Sequence, residues 1–241
     1  MRRAIALLAL AFATACPDRT YAYRPFDGTD AAVADPGTAE VELGPAGLRR
    51  DGPDRTLVAP SATFNYGLIK DWEAVLEGTG ETDLGSASRR SRLVDNRLLL
   101  KTILRRGALQ EEAGPSIATE FGALLPGIGG DSGTGGTIAM IVSQRWLWGT
   151  VHLNAAGSIT REHHGDLFVG AIIEGPPEWV VRPVAEIFYE RDYGSRKIVS
   201  GLVGLIWQVR EGLAVDLGLR GGLAGEHTQD EIRPGITFSL P

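Results

Sequence analysis

VSGLVGLIWQVR, residues 199–210, reads with a period of two. Val199, Val203, Leu205, Trp207 and Val209 fall on one face. Ser200, Gly204, Gln208 and Arg210 fall on the other, and Leu202 and Ile206 break that polar set. Strict alternation is the mark of a half-buried strand. The next two runs repeat it. LAVDLGLRG (213–221) sets Leu213, Val215, Leu217 and Leu219 against Ala214, Asp216, Gly218 and Arg220. EIRPGITFSL (231–240) sets Ile232, Pro234, Ile236, Phe238 and Leu240 against Glu231, Arg233, Gly235, Thr237 and Ser239. Charges recur in the polar sets, which points to a wet interior, because a charge in a dry core is expensive. Apolar-out, charged-in alternation is how a membrane β-barrel is written.

Nine earlier runs carry the same period, near 38–46, 56–67, 72–82, 94–105, 115–125, 136–146, 150–161, 165–174 and 179–190. Their polar sets, with those of the closing runs, supply the candidate lumen lining. These are Glu73, Glu77, Arg97, Lys101, Arg105, Glu120, Arg145, His152, Arg182, Glu186, Asp216, Arg220 and Arg233. The run at 165–174 is apolar on both faces, with Phe168 and Ile172 in its inner set. An even number of strands closes a ring and leaves no edge unpaired. The expectation is an all-β, antiparallel transmembrane barrel of about twelve strands over residues 38–241.

The connections alternate in length. Short ones fall at 68–71, 147–149, 175–178 and 211–212; longer polar ones fall at 46–55, 83–94, 126–135, 161–165, 191–196 and 224–230. The connection at 105–114 is the exception, long on the short-turn side. Short turns at one end and long loops at the other is the outer-membrane rule. All five tryptophans, Trp72, Trp146, Trp148, Trp179 and Trp207, stand at or near the short turns. That reads as a one-sided aromatic girdle at headgroup level; the rival reading has them capping one end of a soluble sandwich.

The chain opens MRRAIALLALAFATAC, with Arg2 and Arg3 before an apolar stretch. This is a secretory signal, cleaved after residue 15 or after residue 22. Residues 23–37 follow as a polar, Pro- and Gly-punctuated periplasmic lead-in. Cys16 is the single cysteine, so no internal disulfide forms; it leaves with the leader, or carries a lipid if cleavage falls just before it. The net charge of −6 offers nucleic acid no basic patch. Arg89, Arg90 and Arg92 read as a loop cluster rather than a phosphate grip.

RPFDGTDAAVADPGTAEVELGP (24–45) resembles the start of a bacterial outer-membrane transporter family associated with MetA-pathway phenol degradation. The strand around Lys101, PSIATEFGALLPG (115–127), GDLFVGAIIEG (165–175) and the closing runs are similar to it as well. The resemblance covers most of residues 24–241 and rests on glycine and strand patterns. It implies an outer-membrane barrel with a role in solute passage, and it brings no catalytic residues. The ending departs from such barrels, since Ser239, Leu240 and Pro241 follow the aromatic Phe238.

The chemistry read from the residues is that of a lined conduit. His152 and Ser158 share the inward phase, but no serine stands in a G-x-S-x-G context, so no enzyme is expected. Glu162, His163, His164 and Asp166 read as a polar loop rather than a metal site, and no cofactor is implied. The expected partners are outer-membrane lipids, the outer-membrane assembly machinery and small solutes, with an apolar or aromatic preference resting on the family's name alone. The second reading is a non-conducting structural or interaction barrel whose Glu and Arg rows lock the interior. A third is a soluble periplasmic lipid-binding β-fold.

Overall fold

In the computed structural model, residues 24–85 and 90–240 are described. The leader with its two cleavage points, Cys16 and Arg89 lie outside them. The chain forms β1 (Ala39–Gly44), β2 (Gly47–Asp51), β3 (Asp54–Ile69), β4 (Trp72–Asp83), β5 (Ser91–Arg105), β6 (Ser116–Leu124) and β7 (Gly135–Trp146). It continues with β8 (Gly149–Ile159), β9 (Gly165–Glu174), β10 (Val181–Asp192), β11 (Lys197–Arg210), β12 (Leu213–Ala224) and β13 (His227–Leu240). Each strand from β3 onward pairs antiparallel with the next. β1 and β2 both lie between β13 and β3, so the two are one stave interrupted at Pro45–Ala46. Ala39 faces Leu240 and Leu48 faces Ile232, which closes the ring. The result is the twelve-stave antiparallel barrel that the alternation predicts.

The outward face is apolar along its whole circumference. Ile138, Leu153, Ile187, Val203, Leu219 and Leu223 are each more than half exposed, while their neighbours Ile141, Phe188, Leu202 and Ile206 are buried. A water-soluble monomer rarely exposes contiguous apolar surface beyond a few hundred Å². A closed barrel wearing such a belt is a bacterial outer-membrane barrel, and the soluble lipid-binding fold is set aside. No helix among the described residues is long and apolar enough to cross a membrane; the strands do the crossing.

The structure departs from the sequence reading in four places. The expected loops at 46–55 and 224–230 contract to tight turns, because β2 and β13 take up their charged residues as strand. Arg92 belongs to β5, where its guanidinium lies 2.7 Å from Glu81, so the expected arginine loop cluster is partly strand. The β3–β4 pairing slips between Val58 and Ser61, and this turns Val58 inward where simple alternation sends it outward. A slip of one residue reverses every side chain beyond it. Finally, the long 105–114 connection holds a 3₁₀ turn, Ala108–Gln110, that buries Leu109.

Candidate functional site

The lumen is occupied by the chain's own lead-in. Residues 24–38 follow the inner wall from β12–β13 past β10, β8, β7 and β4 to β3, and the wall receives their main-chain N–H groups in turn. Glu42 accepts from Arg24 N at 3.0 Å. Glu186 accepts from Asp27 N at 2.8 Å and from Gly28 N at 2.7 Å. Asn154 takes Thr29 N at 3.0 Å, Ser143 takes Ala31 N at 2.9 Å and Glu73 takes Ala34 N at 2.6 Å. Gly37 N then donates to Gly67 O, and the chain enters β1. A segment with no strand partners needs other acceptors for its N–H groups, and the inward Glu, Asn and Ser side chains provide them.

Apolar breaks in the inner face are the seats for this segment. Phe26 packs on Val184, Ile206 and Ala214. Ala31 and Ala32 pack with Leu109, Ala118 and Ile141, so the 3₁₀ turn closes over them. Gln110 reinforces that clasp by donating to Ala31 O at 3.0 Å. Two glycines make room. A Cβ at Gly218 would stand 2.7 Å from Pro25, and one at Gly67 would stand 2.0 Å from the carbonyl oxygen of Asp35.

The inward charges divide into local pairs. Arg233 forks onto Asp27 at 3.0 and 3.1 Å and reaches Glu231 at 3.1 Å; Arg220 lies 3.4 Å from Asp27. Arg24 lies 3.8 Å from Asp216, Arg97 3.6 Å from Glu77, and Arg182 3.5 Å from Glu174. Lys101, fully buried, lies 3.5 Å from Asp30 and donates to Thr29 Oγ1 at 3.2 Å. Asp27 and Asp30 both belong to the lead-in, so plug and wall share their charges.

His152 sits between Ser143 and Glu174, with Nδ1 2.8 Å from Ser143 Oγ and Nε2 3.3 Å from Glu174. The order Ser–His–Glu matches a hydrolase constellation, but Ser143 has no exposed surface and its oxygen already accepts the Ala31 N–H. The lead-in at Ala31 covers its hydroxyl. Arg145 is half-buried on β7, its Nε without a hydrogen-bond partner. Arg105 does not join the interior set: a slip after Ile103 leaves it exposed at the rim, bonded to the carbonyls of Ala113 and Pro115. The tryptophans stand at the short-turn end, Trp146 stacked on Trp148 at 5.3 Å. Among the described residues no three His, Cys, Asp or Glu side chains are grouped to hold a metal.

Beside the lead-in a cavity of about 580 Å³ remains. Phe26–Thr29 form part of its wall, and Asp131, Arg161, Glu162 and Asp192 from the long-loop end line it too. The lead-in as a lumen element is what sequence reading missed. The signal for it was Leu202 and Ile206, apolar residues on a wet face with nothing in the barrel alternation to cover them.

The fold is shared with solved outer-membrane channels. The COG4313 outer membrane channel from Pseudomonas putida F1 superposes with a TM-score of 0.63 at 10% identity, covering 89% of this chain and all of that one. A KdgM porin in complex with disordered oligogalacturonate gives 0.55 at 11% identity, covering 84% of this chain and 99% of that one. At such identities the likeness is one of fold. No family model matches the chain, and no curated protein matches it.

Proposed function

We propose that this barrel lets small polar solutes cross the outer membrane, with the lead-in as the constriction that sets what passes. The observation that carries this is the cavity of about 580 Å³ left beside residues 26–29 inside the barrel. Its lining is largely charged and polar, which favours polar solutes over the aromatic ones that the family resemblance implies. In this reading residues 1–22 are a cleaved leader, the assembly machinery inserts the barrel, and the Trp-bearing end sits among lipid headgroups. Membership of the phenol-degradation family is part of the proposal, supported by the motifs at 24–45 and 165–175.

A second reading is kept because a specific observation favours it. Six main-chain N–H anchors and the Arg220–Arg233–Asp27–Glu231 network hold the lead-in from several sides. A plug held that firmly could make the barrel a closed structural element. Single-channel recording in planar bilayers separates the two. Discrete conductance steps support passage; current no greater than bare lipid, with correctly folded protein inserted, sinks it.

A further inference from the structure

We infer that the outward face of the long-loop end holds a binding site for a phosphate-bearing lipid of the outer leaflet, seated on two pairs of basic side chains. The inference rests on the barrel's place in the outer membrane and not on passage through it.

The first pair comes from the strand register. Arg50 stands directly opposite Arg55 across β2–β3, and both are exposed on the outward face, while Arg49 turns inward to Glu81. Arg50 Nε donates to Gly52 O at 3.3 Å. No carboxylate among the described residues lies at ion-pair distance from either guanidinium. Asp230 faces Arg50 across β13–β2, but its carboxylate leans the other way, over Gly221, where a Cβ would stand 3.6 Å from Oδ1. Like charges placed opposite each other are unfavourable. Backbones about 5 Å apart let two guanidiniums share one anion, and the arginine fork matches phosphate oxygens.

The second pair repeats the pattern. Arg191 stands opposite Lys197 across β10–β11, in the same outward phase as the exposed Tyr189 and Val199. Arg191 lies 5.7 Å from the centre of the Tyr193 ring, and neither cation meets a carboxylate at ion-pair distance among the described residues. The chain as a whole carries −6, so these two pairs run against its overall charge.

The height of the first pair fits a headgroup. On β3 the outward row from Leu57 to Leu68 rises about 28 Å, at ~3.3 Å per residue and a tilt of ~40°, close to the ~25 Å apolar band of an outer-membrane barrel. Arg55 lies just beyond that row, at the end opposite Trp72. Directly beneath the arginines Ile232, Leu48 and Leu57 stand side by side across β13, β2 and β3, an apolar seat for acyl chains. The connections at 52–53, 193–196 and 225–226 are short, so this arc of the rim is left open, while the longer ones at 84–90 and 125–134 rise from β4 to β7. Long loops mark the outer side of such barrels, so the lipid is one of the outer leaflet.

The test titrates the folded full chain in detergent with bisphosphorylated lipid A, read by native mass spectrometry. Wild type should form saturable lipid adducts, and lipid A stripped of its phosphates should not. A basic side chain near an anionic lipid surface raises affinity about fivefold, so Arg50→Gln with Arg55→Gln should weaken binding about 25-fold. Arg191→Gln with Lys197→Gln should weaken it as well, and Arg50→Lys with Arg55→Lys should keep most of it. All these side chains are on the surface, so heat-modifiable gel mobility should not change. A barrel that never conducts defeats the passage function and leaves this titration as it is. Equal binding of the phosphorylated and stripped lipids by wild type overturns the inference, as does equal binding by wild type and the Gln variants. Displacement of the lipid by a few millimolar inorganic phosphate also overturns it, because the site would then belong to a free anion.

Discussion

Glu186 is the wall residue on which the lead-in most depends, and Glu186→Ala tests that dependence. The side chain is 4% exposed and both of its oxygens receive lead-in N–H groups, at 2.8 and 2.7 Å. Hydrogen bonds to a charged acceptor contribute about 1.5–3 kcal/mol each. Two of them would sum to roughly 3–6 kcal/mol. Against this, truncation removes the cost of burying the carboxylate, and water in the cavity can re-bond the Gly28 N–H. A net loss of about 2 kcal/mol corresponds to a roughly 30-fold rise in the undocked lead-in. The assay is hydrogen–deuterium exchange in detergent, read on peptides covering residues 24–38. Exchange should accelerate there by about that factor and stay unchanged in β3 to β13. Glu186→Gln, which keeps one acceptor oxygen, should recover about half the loss in free energy. Lead-in exchange as slow in the Ala variant as in wild type would refute the reasoning, because the bonds would then hold nothing.

Three further outcomes follow from named contacts. Val203, 61% exposed at the middle of β11, should lose about 2–4 kcal/mol as Val203→Arg in urea unfolding from vesicles. Gln208→Arg on the inner face should lose far less. Gly218→Leu should drive Pro25 from its seat, since the Cβ alone comes within 2.7 Å; exchange at residues 24–28 should then rise more than at 31–34. Ser143→Ala should loosen Ala31 by about 1 kcal/mol, and neither it nor wild type should hydrolyse a nitrophenyl ester. Ester turnover lost on that substitution would mean the Ser143–His152–Glu174 row is catalytic after all.

The wall was legible because a strand between lipid and water has to alternate, and period two survives in every stave. Where alternation misled, a bulge was the cause. Val58 and Arg105 flank register slips that no residue type announces. Leu48, Arg49 and Arg50 looked like loop because charge and the preceding Pro45 masked a short strand. The lead-in was illegible for a different reason. Its anchors are mostly main-chain N–H groups, and a backbone donor places little demand on side-chain identity. Its acceptors were in plain view as Glu42, Glu73, Glu186, Ser143 and Asn154, but an inward glutamate reads the same whether it faces water, an arginine or a peptide N–H. The long 105–114 connection was the other trace, since a loop on the short-turn side needs something to hold, and it holds Ala31.

The central claim is that the lead-in sets the size of the conduit. Single-channel conductance of the full chain, compared with the same chain lacking residues 24–38, tests it most directly. The account predicts small steps for the full chain and steps at least about threefold larger for the deletion, both from barrels with unchanged heat-modifiable mobility. Equal conductance in the two, or none in the emptied barrel, would contradict it.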